Sequence, residues 1–389
     1  MTVELRPLGV HCNIACQYCY QNPQRSAGNL KASYDMGLMK QAIEKEGSDF
    51  TLFGGEPLLM PEAELEDLWS WGLEKFGSNG VQTNGTLIHE RHIELFRKYR
   101  VAVGLSCDGP GELNDIRWAG SLEATREATR RTLNAIEMLC RAGMPPDVIV
   151  TLHRSNATCD RLPVLRAWLQ SLEELGVGSV RMHILEVDDP AIREKCALTI
   201  EENVAAFLFF ARAEKDFPKL KIDVFTDIRN LLLGKDRDAT CIWRGCDPHT
   251  TAAVSGVEGH GQRSNCGRTN KDGIDFAKAE FPGYERYLAL YHADQEAGGC
   301  RGCRFFLMCK GQCPGTAIDN DWRNRSEHCE VWMALFQYFE EELLREGKAP
   351  ISLHAMRPKL ESWFLEAWKD GQNPLMETWI GDNRADFEG

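Results

Sequence analysis

The chain has 389 residues, with 45 Lys and Arg against 58 Asp and Glu and a formal net charge of −13. That balance, with no basic run, excludes a nucleic-acid surface, which would concentrate Lys and Arg on one face. No apolar stretch approaches the roughly 20 residues needed to span a bilayer, and residues 1–10 lack the charged start and apolar core of an export signal. Fifteen cysteines in such a chain read as metal ligands in a reducing cytoplasm before they read as disulfides.

At ~150 residues per domain the length predicts two or three domains. Residues 1–215 alternate β-like runs near 4–10, 50–54, 79–83, 101–106, 147–152 and 179–185 with helical patterns at 34–46, 61–76, 87–99, 121–142, 160–174 and 201–215. Met36, Met39 and Ile43 share a face of the first helix, and Pro61 opens the second at a first-turn position. Six such units predict an α/β fold, an incomplete (βα)6 barrel of the TIM type with right-handed crossovers. A connecting segment at 216–239 leads into Gly- and Cys-rich sequence over 240–333, the texture of a small metal-stapled domain. Helical spacing returns from 330, with Trp332, Leu335, Phe336, Phe339 and Leu343 on one face, and a helical extension fills 334–389, where a further helix fits 357–369 and a loosely ordered tail is expected from 372.

The polar residues fall where a βα barrel places its chemistry, at the carboxyl ends of the strands. The first strand runs into CNIACQYCY, which holds Cys12, Cys16 and Cys19 as CxxxCxxC. The second ends in Gly54-Gly55-Glu56-Pro57, the third in Gln82-Thr83-Asn84-Gly85, and the fourth in Ser106-Cys107-Asp108-Gly109. One pocket could collect all four. A four-iron cluster normally takes four thiolates, so three leave one iron open, the mark of a working site. A zinc knot completed by His11 is the alternative that residue type alone allows.

The triad, with its aromatic Tyr18 before the last thiol, resembles the radical S-adenosylmethionine (SAM) superfamily signature, and GGEP, QTNG and SxDG resemble its later segments. The resemblance implies that SAM chelates the open iron and is cleaved reductively to a 5′-deoxyadenosyl radical, which takes a hydrogen atom from substrate. It places Glu56 near the SAM amino group, with Gly54 and Gly55 letting the backbone approach the ligand. It places Gln82 and Asn84 in the cofactor pocket and Ser106 near the ribose or carboxylate. Tyr18 would pack over the adenine, and Asp108, the catalytic candidate, would lie near the floor of the substrate pocket. Any of these turn residues could instead bond only its own backbone. An Arg for the SAM carboxylate is expected in the next unit, where Arg117, Arg126 and Arg130 all qualify. His153 and His183 close the fifth and sixth strands, as surface residues or substrate contacts.

Downstream, Cys241, Cys246, Cys266, Cys300, Cys303, Cys309, Cys313 and Cys329 resemble the SPASM domain appended to radical SAM enzymes that modify peptides and proteins. The family's interleaved pattern implies two auxiliary clusters, one on Cys241, Cys246, Cys266 and Cys313 and one on Cys300, Cys303, Cys309 and Cys329. Three four-iron, four-sulfide (4Fe-4S) clusters and SAM are therefore the expected cofactors. The auxiliary pair could carry electrons or act as staples, and two zinc sites would use eight thiols equally well. Cys107, Cys140, Cys159 and Cys196 read as packed small side chains. His249 and His260 lie close in sequence to the first auxiliary set.

Two reactions in this superfamily compete. Anaerobic sulfatase-maturing enzymes, which make formylglycine, carry an Asp after the cysteine that corresponds to Cys266. Here Gly267 follows, and the second proton of the oxidation lacks that acceptor. The preferred expectation is an oxidoreductase that matures a ribosomal precursor peptide, most simply by an intramolecular cross-link. Formylglycine formation is the alternative, and a non-catalytic iron-sulfur electron carrier or metal-stapled binding protein the reading from another class. The barrel starts almost at Met1, so recognition of the precursor is expected from a separate leader-binding protein, from the SPASM face or from the extension, where Trp363, Trp368 and Trp379 could be anchors. A flavodoxin or ferredoxin would supply electrons.

Overall fold

The computed structural model describes residues 3–28, 33–244, 246–247, 250, 254–269, 281 and 283–383. The chain forms two compact units, 1–223 with 254–277, and 224–253 with 278–389.

In the first unit β1 (Val3–Arg6), α1 (Asn22–Ser26), α2 (Met36–Glu46), β2 (Phe50–Leu52), α3 (Glu62–Phe76), β3 (Asn79–Thr83), α4 (Glu90–Lys98), β4 (Val101–Ser106), α5 (Leu122–Arg141), β5 (Asp147–Leu152), α6 (Leu162–Leu175) and β6 (Ser179–Ile184) follow in order. After them come α7 (Pro190–Cys196), α8 (Ile200–Ala213) and β7 (Lys221–Ile222). Caps set the helix ends: Asp35 accepts from Leu38 N at the start of α2, Gly47 ends it at φ 66°, and Thr199 with Glu202 forms a reciprocal box at the start of α8. Strands β1 to β7 pair in sequential order, all parallel, as one-handed crossovers require. Leu5, Leu52, Leu105 and Val150 are fully buried along the sheet.

The six expected strands and six helices are all present in the α/β fold, within a few residues of the expected bounds. The division of the chain differs from the expectation. β8 (Ser255–Glu258) and β9 (Arg263–Ser264) were expected in the Cys-rich domain, yet β8 pairs in parallel with β1 and β9 returns antiparallel to β8. Arg6 explains the attachment: its buried guanidinium lies 2.6 Å from the Glu258 carboxylate and donates to Asn265 O at 2.5 Å and to Ser264 Oγ. Four- and two-residue strands leave too little alternation to read from sequence.

The second unit holds α9 (Asp223–Leu232, whose first residue belongs to the first unit), α10 (Glu285–His292), α11 (Phe306–Cys309), α12 (Cys329–Arg345), α13 (Arg357–Lys369) and α14 (Met376–Asp382). Aromatic packing supplies much of its core. Trp243 meets Trp332 and Phe336 edge-on at 5.4 Å, and Phe305 stacks on Phe336 at 5.1 Å. The expectation of a loose tail from 372 fails, because Asp236 accepts from Met376 N at 3.0 Å at the start of α14, and Met376 and Trp379 are buried. Of the three tryptophans expected as anchors, Trp368 and Trp379 are buried, and Trp363 alone is exposed, at 37%. Among the described residues no helix is long and apolar enough to cross a membrane.

Candidate radical SAM site

Cys12, Cys16 and Cys19 occupy the loop between β1 and α1. Backbone bonds shape this loop: Ala15 N donates to Trp118 O at 2.7 Å and Gln17 N to Ile116 O at 2.9 Å. The GGEP turn holds its other side. Gly55 N donates to Gly9 O and Glu56 N to His11 O, both at 2.8 Å. A Cβ at Gly55 would lie 1.8 Å from His11 O, so the glycine expected to admit the ligand is needed first to admit the cysteine loop.

Glu56 is fully buried and its carboxylate accepts three protein hydrogen bonds, from Leu58 N at 3.0 Å, Thr83 Oγ1 at 2.7 Å and Asn84 N at 2.8 Å. Burial holds its pKa above the ordinary range despite these donors. The side chain therefore locks the GGEP turn to the QTNG segment. From that segment Asn84 Nδ2 donates to Asn13 Oδ1 at 2.8 Å and lies 3.8 Å from Cys12 Sγ. Gln82 Nε2 donates to Ser106 Oγ at 2.9 Å across β3 and β4.

Asp108, at the end of β4, is fully buried in a chain of polar contacts. It accepts from Thr151 N at 2.8 Å and Tyr18 Oη at 2.6 Å, and His153 Nε2 stands 3.6 Å away. Burial opposes its ionisation, but His153, Arg117 and Tyr18 outweigh that and hold the carboxyl below its usual pKa. His153, expected at the surface or on substrate, is buried with Nε2 facing Asp108. Tyr18, expected over the adenine, is held by its hydroxyl between Asp108 and Arg117 Nη1, 2.8 Å away, while its ring packs on Ile116, Leu185, Val187 and Cys196.

The three arginine candidates separate. Arg117 is at the site, where Cys16 and Asp108 favour its charge. Arg126 pairs with Asp115, and Arg130 with Glu127 on an exposed helix face. Sequence reasoning missed Arg25, whose guanidinium donates to Val10 O at 3.1 Å and lies 3.9 Å from Cys19 Sγ. Pro23 near the start of α1 was the available signal: a helix turn there brings Arg25 back over the loop. Arg268 was also missed. It lies 3.0 Å from Glu186 and 3.2 Å from Nδ1 of His183, whose imidazole is kept neutral by burial and by that cation.

The thiols fit a cluster better than a zinc ion. Burial pushes Cys12 up and Cys16 up to about 12, and the charge of Cys19 opposes both further, so ionising Cys12 and Cys16 calls for a bound cation. Zinc at a Zn–S distance of about 2.3 Å brings sulfurs to roughly 3.8 Å apart. Among the described residues no three of His11, Cys12, Cys16 and Cys19 bring their ligand atoms within 4.8 Å of one another.

In the second unit Cys300, Cys303, Cys309 and Cys329 line one cavity with Phe305, Arg325 and Trp332. Burial pushes Cys300 up to about 12 and Cys309 well above the ordinary thiol range. Arg286 is wholly buried, which lowers its pKa, while the charges of Cys313, Cys246 and Cys300 favour its cation, and Cys241 opens a short 3-10 turn. Cys266 belongs to the first unit, just after β9. A Cβ on the following Gly267 would lie 2.5 Å from Tyr20 Cε2. Of the spare thiols Cys107 and Cys196 are buried, but Cys159 is exposed, contrary to expectation. His260 is exposed, 3.3 Å from Ser33 Oγ. His249 lies outside the described residues.

The chain matches the Radical SAM superfamily over residues 7–162. Those residues are a radical SAM domain. The serine-type anaerobic sulfatase-maturating enzyme of Bacteroides thetaiotaomicron is 33% identical over 130 residues, 29% of this chain and 30% of that one. The enzyme of the same description from Klebsiella aerogenes is 26% identical over 210 residues, 51% and 50% of the two chains. The chain thus spans 30% to 50% of the length of these curated relatives. In fold it is similar to native anSMEcpe with bound AdoMet and Cp18Cys peptide, with a TM-score of 0.67, 18% identity, and coverage of 88% of this chain and 98% of that one. The radical SAM domain thus stands on the relation the motifs implied, and the relatives fit sulfatase maturation better than peptide cross-linking.

Proposed function

We propose that the protein is a radical SAM enzyme that oxidises a side chain of a peptide or protein substrate by two electrons, with formylglycine formation the leading case. The supporting observation is the gathering of three thiols, Arg25, Arg117 and the Tyr18–Asp108–His153 chain at the carboxyl edge of a parallel sheet, in a domain whose sequence relatives mature sulfatases. Cys12, Cys16 and Cys19 would hold a four-iron cluster, which together with SAM would supply abstraction of one hydrogen atom from the substrate carbon. Arg25 offsets thiolate charge, and Arg117 is placed to take a carboxylate beside Tyr18. Gly54, Gly55, Gln82, Asn84 and Ser106 frame the cofactor, and Glu56 fixes that frame from behind. Asp108 stays ionised and oriented by Thr151 N and Tyr18, a fixed negative wall of the substrate pocket. Auxiliary clusters would supply an acceptor for the second electron: Cys300, Cys303, Cys309 and Cys329 would hold one, the family's pattern assigns Cys241, Cys246, Cys266 and Cys313 to the other, and the second proton would pass to water because Gly267 offers no base. A flavodoxin or ferredoxin supplies the reducing electron.

One observation favours cross-linking of a ribosomal precursor peptide as a second reading. Gly267 offers no base, and an aspartate there would have to displace Tyr20. The test is anaerobic incubation with a serine- or cysteine-containing sulfatase peptide, read by mass spectrometry and hydrazide labelling. An aldehyde supports formylglycine formation. No change in that peptide, with loss of two hydrogens and a fragmentation-resistant ring in a precursor peptide, supports the second reading. No mass change in either peptide alongside SAM cleavage contradicts both.

A further inference from the structure

Away from the cysteines, Glu62, His89 and His92 bring one ligand atom each to within 4.8 Å of one another, the one such group of His, Cys, Asp or Glu among the described residues. Two helix starts assemble it. Glu62 is the first residue of α3, His89 is the N-cap residue of α4, and His92 stands three residues on, so both rings share a face. His89 makes no capping bond through its side chain. Its Nε2 lies 3.1 Å from Glu62 Oε1, and its ring centroid is 4.2 Å from that of His92.

His92 is the unusual member. It is 97% buried, yet neither ring nitrogen has a hydrogen-bond partner. A buried imidazole with both nitrogens unmet needs an explanation, since almost all such groups are paired. Its neighbour in sequence does not fill the gap: Arg91 pairs with Glu66 at 2.9 Å and Glu94 at 3.1 Å. Two imidazoles and one carboxylate form a ligand set suited to zinc, with a fourth position for water. The exposed Glu62 and His89 give an ion a way in.

We infer that Glu62, His89 and His92 form a zinc-class divalent metal site, separate from the iron-sulfur ligands, that clamps the start of α3 to the start of α4. Glu62 lies six residues after Glu56, and His89 five after Asn84. The ion would therefore brace the two turns that Glu56 already joins.

The test uses the holoenzyme with its clusters reconstituted, so that cluster cysteines are occupied. One equivalent of zinc sulfate is added, the protein is desalted, and zinc and iron are counted by mass spectrometry, with zinc-edge X-ray absorption for the ligands. The expected result is about one retained zinc per chain with nitrogen and oxygen neighbours at about 2.0–2.1 Å and no sulfur shell near 2.3 Å. His89→Ala and Glu62→Gln, both at exposed positions, should weaken zinc retention at least tenfold with iron content unchanged. His92→Asn should do the same, and the exposed pair keeps the test valid if that buried change disturbs folding. Zinc held equally by wild type and by both exposed variants, a sulfur shell, or no zinc retained would each overturn the inference.

Discussion

Replacing Gly55 with alanine should remove the cysteine loop from its place. The new Cβ would stand 1.8 Å from His11 O, 2.3 Å from His11 C and 2.7 Å from His11 N, where ordinary contact begins at 3.4 Å. The backbone must open by about 1.6 Å, the difference between 3.4 and 1.8, and nothing flexible can yield because every clashing atom is backbone. That movement breaks the bonds Gly55 N–Gly9 O and Glu56 N–His11 O. Two lost hydrogen bonds at about 0.5–1.5 kcal/mol each, with overpacking of about 1–3 kcal/mol, give a local penalty of about 2–6 kcal/mol. It falls on the loop that carries Cys12. After anaerobic reconstitution, the variant should hold about eight irons per chain where wild type holds about twelve, and it should not cleave SAM. Gly178→Ala, with nothing within 4 Å of the added carbon, is the control and should match wild type. Full iron loading and normal SAM cleavage in Gly55→Ala would refute the reasoning.

Three further outcomes are expected. Arg117→Lys should lower kcat/KM for SAM by about 10- to 150-fold, the worth of a charge-assisted hydrogen bond of about 1.5–3 kcal/mol, while Arg126→Ala changes stability by about 0.5 kcal/mol or less; steady-state 5′-deoxyadenosine assays and thermal melts check both. Cys309→Ala should reduce iron to about eight per chain by emptying the second auxiliary site, while SAM cleavage without substrate persists. His183 is neutral in the fold, its pKa held well below 6.5 by burial and Arg268. The unfolded chain therefore binds the extra proton first, and stability present above pH 6.5 is lost as pH falls below it. His183→Gln should flatten that decline by up to about 1.4 kcal/mol per pH unit, measured by denaturant melts between pH 7 and 5.

Long, strongly periodic segments were legible from the chain alone, because 3.6- and 2-residue repeats survive any tertiary detail. That is why β3 through β6 and the helices between them were recovered, and why the four strand-end motifs could be assigned to one face. What escaped was local and short. β8 and β9 are held by the single buried cation Arg6 rather than by a pattern, and α14 is docked by one carboxylate, Asp236. The roles expected of the site residues all point toward the ligand, whereas the structure shows what those residues bond within the protein. Glu56, Tyr18 and Gly55 each satisfy protein partners, a distinction no motif encodes. Arg25 and Arg268 were missed because their partners are distant in sequence or follow an unfamiliar turn. His153, expected at the surface or on substrate, is buried facing a carboxylate, and His92, which the sequence singled out in no way, came to notice only through its unmet nitrogens.

The most direct measurement is 5′-deoxyadenosine production by anaerobically reconstituted protein given SAM and dithionite, run beside Cys16→Ala. Production by wild type with about twelve irons per chain, abolished in Cys16→Ala, is the predicted result. Twelve irons with no nucleoside released, or equal release by the variant, would contradict the assignment of the radical chemistry to this thiol triad.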